Sequence, residues 1–119
     1  MQPHTRAIIA AASHALVTGR KVAGLYDHAA KRHLRIAAEA RGEHLQGYDG
    51  DRNARFGGTL PQLHDIDADA LVHVELEKAG TRCYDHASSS HFTTKVAERL
   101  VQVYDHAAGT WFSFDVQVA

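Results

Sequence analysis

The chain has 119 residues, 45% of them hydrophobic and 23% charged, an ordinary globular composition long enough for one domain with its own core. A net charge of −1 and a pI near 6.8 exclude a global basic field of the kind that holds nucleic acid or an anionic membrane. The lone cysteine, Cys83, excludes an internal disulfide and a cysteine-based zinc site and points to a reducing, cytoplasmic setting.

The first element is an Ala-rich stretch from Thr5 to Val17, with Ile8, Ile9, Ala12 and Leu16 on one stripe and Gly19 as a stop. This pattern predicts an amphipathic helix over 5–18, packed on a sheet and covering part of its apolar face. Ser13 and His14 interrupt the apolar run from Ala7 to Val17. The run is too short to span a membrane and lacks a signal-peptide pattern, so no membrane partner is expected.

From residue 20 to 118 the chain repeats itself. All four tyrosines, Tyr26, Tyr48, Tyr84 and Tyr104, are followed by aspartate, a coincidence with a chance on the order of 10⁻⁵ if residues were independent. A divergent copy carries His64-Asp65 in the same slot, making five units. Eight residues after each Tyr or His64 stands an apolar side chain: Leu34, Phe56, Val72, Phe92 and Phe112. In the last unit Phe112, Phe114 and Val116 alternate with Trp111, Ser113 and Asp115, the period of a strand with one buried face. Each unit therefore reads as a β-hairpin with a polar loop. The pleat places Tyr104 beside Trp111, Tyr26 beside His33 and Tyr84 beside His91. The aspartate is placed to close each loop by accepting from the backbone N–H two residues on. Gly57-Gly58 are expected to weaken the second return strand, and Pro61 to set the third incoming strand at an edge or bend. Five hairpins make ten short strands, and a sheet that long curls or closes. The expected fold is all-β with one N-terminal helix: a single domain over 1–119 whose hairpin repeats form a rolled antiparallel sheet or barrel.

The repeated Tyr-Asp-His-x4-(His/Trp)-Phe pattern resembles small bacterial proteins of uncharacterised function built from several Tyr-Asp-aromatic hairpins. The likeness covers about residues 20–116 and implies the same hairpin-built fold without implying an activity. A further likeness links the chain to the Tyr-Asp repeats of Rhs-type toxin shells. It is limited, because this chain lacks the Gly-Arg that normally follows the pair and is far too short for a shell.

Two functional readings follow. In the first, the chain is a non-enzymatic structural or binding module, and Tyr26, Tyr84, Tyr104 and Trp111 form an outward row that stacks a ligand or drives self-association. In the second, it is a His-dependent transition-metal protein. His28 and His33 bracket the first loop, His86 and His91 the fourth, and His106 opens the fifth, with Asp27 or Asp85 as a third ligand. Asp49-x-Asp51-x-Asn53 and Asp65-x-Asp67-x-Asp69 resemble the start of a calcium loop but lack its sixth-position Gly and twelfth-position Glu, so they read as solvated turns. No nucleophile elbow, phosphate loop or HExxH helix is present, and Ser88, His86 and Asp85 are mere loop neighbours, so neither enzyme chemistry nor a cofactor is expected. Cys83 occupies a slot held elsewhere by Leu and Val and reads as a buried small hydrophobe.

Ten histidines swing the net charge towards about +9 on full protonation. Solubility measured from pH 5 to 8 should therefore be lowest near neutrality and rise on the acid side; a flat profile would contradict this.

Overall fold

Strand alternation decides which side chains face a common interior, and five consecutive hairpins carry that interior round into a closed ring. The computed structural model describes residues 3–66 and 69–119. One helix, α1 (Pro3–Thr18), precedes β1 (Val22–Asp27), β2 (Arg32–Leu34), β3 (Ile36–Arg41), β4 (His44–Asp49), β5 (Ala54–Thr59), β6 (Gln62–Asp65), β7 (Ala70–Glu77), β8 (Gly80–Asp85), β9 (Ser90–Val96), β10 (Leu100–Asp105) and β11 (Thr110–Val118). Strands β3 to β11 pair antiparallel in chain order, and β11 returns to β1 through Tyr26↔Asp115 and Leu25↔Val116. β2 and β3 are two halves of one stave. Both face β1, with Leu34 opposite Leu25 and Ala38 opposite Val22, and Arg35 alone separates them. The result is a closed antiparallel barrel of ten staves, two for each hairpin.

Closure removes the edges that a sheet must otherwise protect. Pro61 consequently lies in the turn between β5 and β6, not on an edge. Gly57 and Gly58 lie within β5, which pairs with β4 through both to Thr59 but with β6 only at Phe56 and Gly57. They stand where the Leu45 and Gln62 carbonyls press so close that a Cβ would overlap them. Gly47, opposite Phe56, plays a different part. The Phe56 ring lies over it in the space a side chain would fill, so one large residue supplies the inward bulk for both positions.

The helix is covered more completely than the single stripe expected to pack on the sheet. Every residue from Ala7 to Ala15 is buried, with Ala10, Ala11 and Ala15 at 0% exposure, and α1 touches β1, β3, β4, β8, β9, β10 and β11. A helix buried on every side is enclosed, not laid on a surface. It runs through the lumen. Eight staves leave room only for side chains, whereas a wider barrel has a lumen that a helix can occupy. Alanine keeps that helix narrow enough to fit among Leu25, Ile36, Phe92, Val101, Val103 and Phe114.

Ser13 and His14 break the apolar run but find partners inside. The Ser13 hydroxyl lies 2.8 Å from Thr81 Oγ1, which is 2.8 Å from Thr94 Oγ1. His14 Nε2 donates to the Glu98 carbonyl at 2.8 Å, and the Thr18 hydroxyl donates to the His14 carbonyl at 2.7 Å. Buried polar groups without partners are costly, so these bonds select one rotation and depth for the helix. Gly19, at φ 70° and donating to the Ala15 carbonyl at 2.9 Å, ends α1 as its sequence position indicates.

Enlarging a residue on the enclosed helix tests this placement. Ala11→Leu should lower stability by about 1–3 kcal/mol. At exposed Ala107 the same change should stay within about 0.5 kcal/mol, as read from urea unfolding midpoints.

Candidate binding surface

The two halves of each Tyr-Asp pair point in opposite directions, because successive residues of a strand face opposite sides of the sheet. Asp27, Asp49, Asp65, Asp85 and Asp105 face inward at one mouth of the barrel and are all buried. Asp27 Oδ1 accepts from the N–H groups of Ala29 (2.9 Å) and Ala30 (3.2 Å). Asp105 Oδ1 accepts from those of Ala107 (3.0 Å) and Ala108 (3.1 Å). Asp49 Oδ1 accepts from Asp51 N–H at 3.1 Å, and Asp85 Oδ1 from Ala87 N–H at 3.2 Å. The loop-closing role expected of the aspartate is thus present in the four loops whose residues are all described; in the loop after Asp65 the residue two positions on lies outside the described residues. Asp65 accepts from Arg52 Nη2 at 2.9 Å and lies 3.8 Å from His4 Nε2.

The loops share more than their aspartate. The fourth residue after each one, namely Lys31, Asn53, Asp69, Ser89 or Gly109, has φ between 49° and 66°. The residue directly after each aspartate donates its N–H to the preceding hairpin: His28 to Ser113, Gly50 to Arg35, Ile66 to Arg55, His86 to Leu71 and His106 to His91. The five loops therefore form one laced rim. The N-terminus of α1 reaches this rim, where buried carboxylates complement the positive end of its dipole. Arg52 lies between Asp49 and Asp65, 2.9 Å from each. Burial discourages its charge, but the hydrogen bond to Asp49 and the negative charges of Asp65 and Asp49 outweigh that and hold the guanidinium above its usual range. A cavity of about 380 Å³ opens beside it, lined in part by His4, Asp27, Asp49 and Arg52.

Outside, the tyrosines sit in a recurring clasp. Tyr26 meets His28 and His33 at ring-centroid distances of 5.0 and 4.9 Å. Tyr84 meets His86 and His91 at 5.0 and 4.8 Å, and Tyr104 meets His106 and Trp111 at 4.8 and 5.0 Å. These are edge-on or tilted contacts, the geometry aromatic pairs favour. Lys95 Nζ lies 5.0 Å from the Trp111 ring centroid, within cation–π range. The other two hairpins replace the ring clasp with a polar tie, Tyr48 to Asn53 and His64 to Asp69. Tyr26, Tyr84 and Tyr104 are half-buried, while Tyr48 and Trp111 are each 42% exposed.

The same geometry places the residues of the expected ligand sets. His28 leans towards β11, its Nε2 lying 3.0 Å from Asp115 Oδ1, while His33 approaches Tyr26 from β2. His86 and His91 both pack on Tyr84. Asp27 and Asp85 face the interior and cannot join imidazoles on the outer surface. Among the described residues, no three or more His, Cys, Asp or Glu side chains are grouped to hold a metal ion. In the calcium-like stretches Asp49 is buried and not a solvated turn residue, Asp51 binds Arg35, and Asp67 lies outside the described residues. Ser88 donates to Asp85 at 2.7 Å within its own loop. Burial pushes the Cys83 thiol up to about 12, against the opposing hydrogen bond from Thr81, so it stays protonated at neutral pH.

Comparison with known proteins finds no matching family profile, no matching curated sequence and no matching solved structure. The site rests on its own geometry.

The histidine two residues after Tyr packs on the ring in the three hairpins with an aromatic seven residues after that Tyr: His28, His86 and His106. One feature escaped the sequence reading. The left-handed loop position was marked by Asn53, Asp69 and Gly109, residues that tolerate such a conformation.

Asp51 offers a pH test of the rim. The backbone N–H of Arg35 and then its guanidinium hold the Asp51 carboxyl below its ordinary value of 3.8. The stability from this depression is complete above that ordinary value and is lost as pH falls through the lower folded one. Asp51→Asn should therefore lower the urea midpoint at pH 7 and flatten its decline below about pH 4.

Proposed function

We propose that this chain is a non-enzymatic binding module that engages its target through the outward tyrosine clasps. Three features support the reading. The lumen, where a barrel commonly holds a ligand, is taken by α1. The aspartates at the mouth serve the loops and the Arg52 and His4 contacts. Cys83 is buried and protonated. The chemistry left facing solvent is a set of aromatic and imidazole rings spaced by the hairpin repeat, with Trp111 at 42% exposure. That row is the observation that carries the proposal.

Exposed rings at fixed intervals stack ligands or pack against a second surface. The polar and charged residues between them, among them Arg82, Thr93 and Lys95, occupy positions where a lipid-facing strand carries apolar side chains. Resemblance to hairpin-built bacterial proteins and a single buried cysteine support a bacterial, cytoplasmic setting.

Trp111→Ala should keep the far-UV spectrum and change stability by less than about 1 kcal/mol. Interior Phe92→Ala should cost about 3–5 kcal/mol. In sedimentation velocity the unmodified chain should associate as concentration rises, and Trp111→Ala should not. Unfolding of the Trp111 variant, or association unaffected by it, would count against the reading.

A further inference from the structure

We propose that the outer groove crossing β7 to β10 is a binding site for a neutral saccharide. The inference rests on the outward face being the binding surface and names the ligand class for one part of it.

The groove encloses about 380 Å³ and is lined by His73, Glu75, Arg82, Tyr84, His91 and His106, with Thr93 at its side. That volume falls within the roughly 300–1,000 Å³ of small-ligand clefts. Strand register builds it. Tyr84 pairs with His73 on one neighbour and His91 on the other, and His106 reaches in by donating its N–H to the His91 carbonyl at 3.1 Å. Rings thus come from β7, β8, β9 and the loop that follows β10.

The polar groups between these rings are held by one another. Glu75 accepts from Arg82 Nη2 at 3.2 Å and lies 3.2 Å from His73 Nε2, while Arg82 Nε is 3.1 Å from Glu77. Thr93 Oγ1 is 2.8 Å from His106 Nε2. A guanidinium with its carboxylates offers planar donors and acceptors while its charge is cancelled locally. An anion would meet Glu75 and Glu77, and a metal ion would meet no grouped ligand set. A pyranose ring matches instead. Its C–H face packs on Tyr84 and His91, and its vicinal hydroxyls exchange hydrogen bonds with Arg82, Glu75, His73 and Thr93.

Titration of the chain with cellotetraose, mannotetraose and chitotetraose, followed by backbone amide NMR, tests this. Saturable shifts centred on residues 73–75, 82–84, 91–93 and 106 are expected with at least one of them. Tyr84→Ala should weaken that binding about tenfold. Arg82→Gln, at a solvent-exposed side chain and retaining the fold, should weaken it similarly, while Arg41→Gln on β3 should leave it unchanged. The proposal is overturned if no tetraose gives saturable shifts, if the shifts lie elsewhere, or if Arg82→Gln leaves them unaltered. Absence of saccharide binding alongside Trp111-dependent association would remove the groove alone and leave the binding-module reading standing.

Discussion

A ten-stave barrel encloses more space than inward-pointing side chains can fill, and a dry void of that size would forfeit the packing that holds a small domain together. α1 resolves the problem by occupying the lumen. The composition of the helix answers to this constraint: alanine wherever the wall is close, and Ser13 and His14 where the wall offers a hydroxyl or a carbonyl. The wall answers in turn, with Gly47 yielding its inward volume to Phe56. Filling the lumen leaves the barrel only its mouths and its outer face open to solvent.

The Tyr-Asp pair is a two-sided device made by the pleat. One residue turns inward, closes its own loop and joins a rim laced to the preceding hairpin. The next residue towards the strand interior turns outward and packs between the loop histidine and the cross-strand ring. Repetition lets the two faces vary separately. Copies at Tyr48 and His64 lose the aromatic clasp and keep the buried aspartate.

Much of this was legible along the chain. Alternation at Phe112, Phe114 and Val116 identified a strand with one buried face. Counting from Tyr104 to Trp111 identified a cross-strand pair, and the register bears it out. Aspartate before small loop residues announced its turn. A spacing of five between His28 and His33 suits a ligand pair as well as a clasp, and the structure shows both rings packed on Tyr26. The helix pattern left a similar choice open. Ile8, Ile9, Ala12 and Leu16 form a stripe whether or not the opposite face is also covered.

Local chemistry along the chain was therefore sufficient for the hairpins, their aspartate-closed loops and the pairing within each one, since all of these depend on residues of a single hairpin. Closure of β11 on β1, the enclosure of α1, the inward turn of five carboxylates to one rim and the gathering of Tyr84, His73, His91 and His106 into a groove came from the tertiary structure alone. Each joins residues from different hairpins, and the stagger between hairpins is set by barrel closure around a helix of fixed width, a geometric condition that no single repeat contains.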